Sequence, residues 1–277
     1  MTSQIPSAGA AWALVTGGSA GIGLAYAEQL CLQKHNVILV ARHAAKLAFE
    51  AKRLSETYEV NVRVIVADLA LQSGIDQVIE QTKDVFVELL INNAGKEESG
   101  AFLEINVADM VNTIALNCTA PLVLSHHFGK LMEVKCQGEI MFISSIVAFQ
   151  GVPLIANYAA TKSYSLVLAE SLAAEFKHKN INISIVAPGF TDTNLSPEIN
   201  FSKTLISPAS ATKVARKSLQ ARHKQLLYVP GFINKLLFYS GKYLQPRRLN
   251  TFAFGQVFNK ILRDKLSRLA RDKVEAA

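Results

Sequence analysis

The stretch Thr16-Gly17-Gly18-Ser19-Ala20-Gly21-Ile22-Gly23 constrains this chain more than any other feature, because apolar Trp12-Ala13-Leu14-Val15 precedes it and helix-spaced apolar residues run on to Leu32. Strand, glycine turn and helix in that order open a dinucleotide-binding unit. Gly17 and Gly21 let the backbone turn tightly and approach phosphate oxygens, Gly23 lets helix and sheet pack closely, and Ser19 and Ile22 lie on the same turn. The helix N-terminus adds partial positive charge, so an anionic pyrophosphate is the expected occupant. Turns with several glycines are common; the flanking strand and helix give this one its meaning.

Six further runs fit strands: Val37–Ala41, Val62–Ala67, Val85–Ile91, Glu139–Ser144, Ile181–Ala187 and Leu226–Val229. Helical patterns separate them and no Pro/Ser-rich linker interrupts them, which predicts an α/β, single-domain, doubly wound Rossmann-type fold. Its parallel sheet has about seven strands, with helices on both faces and extra C-terminal helices. The 277 residues then divide into a cofactor-binding and catalytic core over 11–193, a substrate-side region over 194–250 and a basic C-terminal helix over 251–277.

Tyr158 and Lys162 are four apart in a segment, Ala156 to Lys177, whose apolar spacing is helical, so phenol and ammonium share one face. A free phenol titrates near ~10. A neighbouring cation favours the phenolate and tunes the group towards proton exchange with a carbonyl or alcohol oxygen. Ser145 ends an apolar strand-like run from Glu139, at the carboxyl edge where such sheets bind ligands, and would give a second hydrogen bond. Singly, a Tyr/Lys pair on a helix is an amphipathic surface feature and a serine after a strand is a cap or turn. Their joint order and spacing point to carbonyl or alcohol redox chemistry.

Arg42 follows the second strand, nineteen residues beyond Gly23, where NAD-binding folds place an acid on the ribose diol. A guanidinium there suits a 2′-phosphate, with His43 beside it, so NADP(H) is favoured over NAD(H). The bland alternative is a solvated arginine at a strand end.

From Ala11 to about Thr193 the chain resembles the short-chain dehydrogenase/reductase family, on the glycine loop, on Asn92-Asn93-Ala94-Gly95 and on the Tyr158/Lys162 pair. The resemblance implies a catalytic tetrad of Asn117, Ser145, Tyr158 and Lys162, with Asn117 holding a water that links Lys162 to solvent. It implies cofactor contacts from Asp68 at the adenine, from Asn93 on the adenine ribose side, from Ala94 and Gly95, from Tyr158 and Lys162, the lysine binding ribose, and from Pro188, Gly189 and Thr193 at the nicotinamide. Thr191 would bond the nicotinamide amide or cap a turn. Ala20 departs from the basic residue that many NADP-using relatives carry in the loop, leaving cofactor choice to Arg42. The family also pairs its subunits, here through the helix bearing Tyr158 and that over Ala108–Val134, into a homodimer or homotetramer.

Other chemistries find little footing. Cys31, Cys118 and Cys136 lack metal-ligand spacing, His126 and His127 are adjacent and face apart on a helix, and Glu97-Glu98 fits a solvated loop, so no metal site is expected. The amino terminus shows no secretory pattern, which leaves a cytoplasmic protein as the expectation. Residues 213–277 carry 15 Lys/Arg against 3 Asp/Glu, net +12, while the rest carries −5 of the total +7. Three readings compete for this basic, amphipathic region: helices walling the pocket, peripheral attachment to an anionic membrane, or docking of an acidic carrier protein. Leu226–Leu244 is broken by Pro230, two glycines and two lysines, which argues against a spanning helix, and nucleic-acid binding has only net charge in its favour. Phe149, Val152, Leu154, Ile155, Phe190 and Leu195 fall where the reacting carbon would sit and suit a hydrophobic ketone or alcohol: steroid, fatty-acyl or aromatic. The rivals are a catalytically silent nucleotide-binding or scaffold protein, and an epimerase using tightly held NAD, which Arg42 disfavours.

Overall fold

The computed structural model of the chain describes residues 12–193, 208–243 and 246–262. Seven parallel strands form one sheet: β1 (Trp12–Thr16), β2 (Asn36–Ala41), β3 (Val62–Val66), β4 (Val87–Asn92), β5 (Gly138–Ile143), β6 (Ile181–Val186) and, beyond a two-stranded ribbon of β7 (Thr191–Asp192) with β8 (Ala209–Ser210), β9 (Leu227–Tyr228). Their order is β3-β2-β1-β4-β5-β6-β9, the doubly wound arrangement expected from the sequence. The chain runs outward from β1 to β3, then returns to β4 on the other side of β1. A crevice opens at that reversal, beyond the carboxyl ends of β1 and β4.

Strand residues alternate between two cores, as a period of two requires. Leu14, Ile38, Leu90 and Ile140 face α5 (Ala120–Lys135) and α6 (Ala156–Phe176), where they meet Leu124, Phe128, Met132 and Leu166. Val15, Leu39, Ile91 and Met141 face α1 (Gly21–Leu32), α2 (Ala44–Tyr58) and α7 (Ala211–Ala221). α1 and α7 are also joined by a buried hydrogen bond between Tyr26 Oη and Ser218 Oγ, 2.5 Å. Both faces of each central strand are covered, which is why these strands read as nearly unbroken apolar runs.

The helix expected over Ala108–Val134 is present with one irregularity: α4 (Val107–Ile114) passes through a π turn, Ala115–Thr119, into α5. Val107–Lys135 is apolar and long enough to cross a membrane by length and composition. Its stripe of Leu116, Ala120, Leu124, Phe128 and Met132 is buried in the sheet's own core, which explains the composition.

Two helices, α8 (Phe232–Tyr243) and α9 (Arg247–Ile261), follow the sheet. The C-terminal helix thus starts before residue 251, because Pro246 stands just ahead of it and its rigid φ suits a helix start. Leu195 and the basic tail over 263–277 lie outside the described residues. α8 and α9 send Phe238, Phe258 and Leu262 into a third cluster with Ile146, Val152 and Ile155, above the carboxyl edge of the sheet.

Candidate active site

The glycine turn has the backbone its sequence demands: Gly17 and Gly21 take φ of 68° and 55°, a region costly for residues with a Cβ. At Gly23 an added Cβ would lie 2.3 Å from Gly17 O, so only glycine lets α1 start this close to the loop. Ser19 is part-exposed on the turn, while Ile22 packs against the core of that face. Ala20, the N-cap of α1, offers no side-chain cap, and the helix has no acid in its first turn. Its first N–H groups point to an acceptor from outside the helix, which a pyrophosphate supplies.

Thr16 holds this turn to the next strand. Its Oγ1 accepts from Asn93 N and Ala94 N, both at 2.9 Å, and donates to Ile91 O at 3.2 Å. Asn93 Nδ2 donates back to Thr16 O at 2.9 Å and, more weakly, Gly17 O at 3.5 Å. The side chain expected near the adenine ribose is thus committed to bracing the loop. Across the crevice, a Cβ on Gly21 would meet the Thr193 side chain at 3.1 Å, so the segment after β6 faces the glycine turn. Thr191 Oγ1 donates to Gly189 O at 3.1 Å, the turn-capping alternative. Gly189 lies under α8, where a Cβ would come within 2.5 Å of Asn234 Oδ1.

At the far edge Arg42 is exposed, and its guanidinium reaches 3.8 Å from Asp68 Oδ2. Asp68 Oδ1 accepts from Ala70 N at 3.0 Å, closing a turn after β3. The two residues expected at the adenosine end therefore stand together at an exposed edge.

The four other predicted residues converge. Ser145 caps a 3₁₀ turn (Ile146–Phe149), its Oγ accepting from Val147 N at 3.3 Å and reaching Pro188 O at 3.5 Å. Ser145 is placed to act on the Tyr158 phenol, whose pKa it lowers. Lys162 is 6% exposed, and its Nζ donates to Ile143 O at 2.9 Å and lies 5.7 Å from the centre of the Tyr158 ring. Asn117 sits on the π turn, a feature that often marks functional positions. Its side chain accepts from Lys96 N and donates to Lys96 O, each at 2.9 Å, and donates to Thr161 Oγ1 at 3.0 Å. Gly95 lies between the two groups, for a Cβ there would be 3.3 Å from Asn117 Oδ1 and 3.4 Å from Lys162 Nζ.

The electrostatics differ from the expectation that Lys162 depresses the Tyr158 pKa. Burial pushes the phenol up, Glu97 and Glu98 add to the rise, and only Ser145 opposes it. Burial also pushes the Lys162 ammonium down to about 8, against smaller opposing effects from Cys118 and Glu97. The lysine is directed at the Ile143 carbonyl and has itself lost hydration, so it does not outweigh the burial of the phenol. Glu98 is a second difference: rather than lining a solvated loop it is 9% exposed and bonded to Asn157 Nδ2 through Oε1. Asn157 also donates to Met110 O, so Glu98 fills the space where α4 meets α6.

Sequence reasoning passed over Thr16, Thr161, Ser144 and Asn234 as supports. Ser144 Oγ donates to Lys162 O at 2.8 Å and fixes the helix turn behind the lysine. Small polar residues next to a motif were the available signal. Among the described residues, no cluster of three or more His, Cys, Asp or Glu could hold a metal ion.

A strand-end serine beside a buried phenol, with a lysine one helical turn further and a glycine turn at the same edge of the sheet, is the constellation of one family. The profile of the short chain dehydrogenases matches residues 11–203. The chain belongs to the short-chain dehydrogenase/reductase family. It is 29% identical over 264 residues to very-long-chain 3-oxoacyl-CoA reductase of Rattus norvegicus, covering 92% of this chain and 81% of that one. It is 32% identical over 193 residues to inactive hydroxysteroid dehydrogenase-like protein 1 of Homo sapiens, covering 69% of this chain and 58% of that one. Among solved structures, a short-chain dehydrogenase from Sphingobium yanoikuyae in complex with NADPH superposes with a TM-score of 0.76 at 29% identity, over 80% of this chain and 88% of that one. The chain is thus an oxidoreductase of a family that uses a nicotinamide cofactor and acts on CH–OH and C=O groups.

Proposed function

We propose that this protein is an NADP(H)-dependent carbonyl reductase acting on a hydrophobic ketone, with the secondary alcohol as product. The observation that carries the proposal is the buried Tyr158 phenol, with the Lys162 ammonium 5.7 Å from its ring centre and Ser145 beside it, beneath a cluster of apolar side chains. When bound, the nicotinamide cofactor supplies the hydride. Gly17, Ser19, Gly21, Ile22 and Gly23 would hold its pyrophosphate, Arg42 its 2′-phosphate, Asp68 its adenine, and Pro188, Gly189, Thr191 and Thr193 its nicotinamide end. Ser145 donates a hydrogen bond to the carbonyl oxygen and polarises it. Tyr158 transfers its phenolic proton to that same oxygen, leaving a phenolate, and Lys162 steadies the charge. A phenol held protonated by burial suits proton donation to a carbonyl oxygen. Asn117 braces Lys96 and Thr161, keeping Gly95 and the Lys162 ammonium in place for a relay water.

The substrate class rests on the side chains around Tyr158. Phe149 packs tilted against Phe238 with ring centres 4.3 Å apart, and Phe190 lies 5.8 Å from Phe258. Val152, Ile155 and Leu262 complete a wall without charge, so a bulky apolar chain or ring is favoured over a sugar. We assign residues 12–193 the cofactor and catalytic roles and the following segment the substrate side. The exposed apolar residues Val107, Val111, Val134 and Val167 support pairing of two copies through α4, α5 and α6.

The test is loss of NADPH absorbance with a panel of steroid, aromatic and 3-oxoacyl ketones, repeated with NADH. Turnover with at least one panel member and preference for NADPH are expected. Tight NADPH binding with no turnover on any member would leave the silent nucleotide-binding reading, the one that the inactive human relative recommends.

A further inference from the structure

Between Ile199 and Arg263 the chain contains no Asp or Glu, and within that span Phe232–Leu262 carries Lys235, Lys242, Arg247, Arg248 and Lys260. This all-cationic segment is also where large apolar side chains are turned outward. On α8, Phe232 is 82% exposed and Leu236 61%, one helical turn apart. On α9, Leu249 and Phe252 are 57% and 66% exposed, with Arg247, Arg248 and Lys260 exposed beside them. The opposite faces of the same helices bury Phe238 and Phe258 in the cluster above Tyr158. The two helices therefore form one wall with an inner face committed to the site and an outer face carrying phenylalanine, leucine and arginine.

Such an outer face is unusual for a surface surrounded by water. A wall serving only the pocket would present polar residues of both signs outward. The apolar surface on α4 to α6 differs in this respect, since Asp109, Glu133 and Glu170 are interspersed there with Lys130 and Lys135. An acidic carrier protein would be served by the charges alone and gives no reason for Phe232, Leu236 and Phe252 to stand in solvent. Aromatic and aliphatic side chains flanked by Lys and Arg, without any acid, match a bilayer whose headgroups are anionic and whose acyl boundary lies a few ångströms below.

We propose that α8 and α9 dock this protein peripherally on an anionic membrane, the outer side chains entering the headgroup–acyl boundary while the inner ones wall the candidate active site. The docking stands on charge and exposure and does not depend on the assignment of Tyr158, Ser145 and Lys162. If that assignment also holds, a lipid-dissolved ketone would reach the site without crossing water.

The test is flotation of the full chain with vesicles of phosphatidylcholine alone or with 30% phosphatidylglycerol, at low and at 0.5 M salt. Binding to the anionic vesicles, weakened by salt, is expected, and an order of magnitude less to the neutral ones. Arg247→Gln with Arg248→Gln should weaken binding by roughly thirty-fold, since each surface cation contributes roughly fivefold. Phe232→Ser with Leu236→Ser and Phe252→Ser should weaken it by a similar factor, and these exposed sites should leave the melting temperature unchanged. Phe232→Trp should shift its fluorescence to the blue on anionic vesicles only, against the buried Trp12. Absence of wild-type binding to the anionic vesicles would overturn the proposal. So would equal binding by all variants, which would move the contact elsewhere, or dissociation of an oligomer by the apolar variant, which would make this face a contact between copies.

Discussion

Lys162 and Arg42 are the two cations of the candidate site, and the fold surrounds them in opposite ways. Lys162 is buried, bonded to Ile143 O, backed by Ser144 and set beside Asn117 across Gly95. Arg42 stands at an open edge with one 3.8 Å contact to Asp68. The chemical end is preorganised by buried bonds that fix each group within narrow limits, whereas the adenosine end offers a charge on a long, hydrated tether. The groups proposed for the chemistry are thus built into the core, whereas the residue proposed for cofactor choice lies on the surface and can change without disturbing it.

The most severe way to break the buried end is Tyr158→Phe, which removes the proton donor and leaves the ring. It should lower kcat by about 10²- to 10⁴-fold, with NADPH affinity by fluorescence titration within about twofold of wild type; retained turnover would transfer the acid role elsewhere. Gly23→Ala comes next. Its methyl must displace Gly17 O or Asn93 Nδ2, at 2.3 and 2.4 Å, so overpacking of about 1–3 kcal/mol should appear in a urea melt together with weaker cofactor binding.

The exposed end predicts a selective effect. Arg42→Asp should weaken NADPH by about ten- to a hundredfold, the worth of a charge-assisted hydrogen bond or two, while NADH changes little. Parallel losses for both cofactors would show that Arg42 supports the loop rather than a phosphate. The smallest effect concerns Lys162 itself. Its pKa is lowered from 10.5 to about 8 on folding, so below about 8 the buried ammonium destabilises the native state in full. As pH rises from about 8 towards 10.5 the unfolded chain holds the extra proton and that penalty fades. Thermal melts of wild type without added cofactor should therefore gain on Lys162→Met over this window; a constant gap would mean that the ammonium is better hydrated than its burial implies.

The same contrast explains what could be read from the sequence. β1, β2 and the glycine turn were legible because strand periodicity and the need for glycine at Gly17, Gly21 and Gly23 are local. Tyr158, Lys162 and Ser145 were legible as a spacing along one helix and one strand. The protonation of Tyr158 was not, because its burial depends on Phe238 and Phe258, brought over it from 80 and 100 residues away. Glu98 was misread for the same reason: adjacent acids in a Gly-containing segment look solvated until α4 and α6 enclose one of them. Asn93 was placed by resemblance at the ribose, while its amide bonds Thr16 O, a pairing across 77 residues that spacing does not encode.

The π turn at Ala115–Thr119 carries a consequence for how this segment can vary. It holds one residue more than a regular helix of the same rise needs, and it adjoins the position from which the Asn117 amide grips Lys96. Excising a single residue there would leave an ordinary helix with α4 and α5 close to their present phase, and would redirect the side chains of the turn itself. The Asn117 amide would turn away, and the Lys96 backbone would lose its clamp. Chain length at this point is therefore under tighter constraint than side-chain identity at most positions around it.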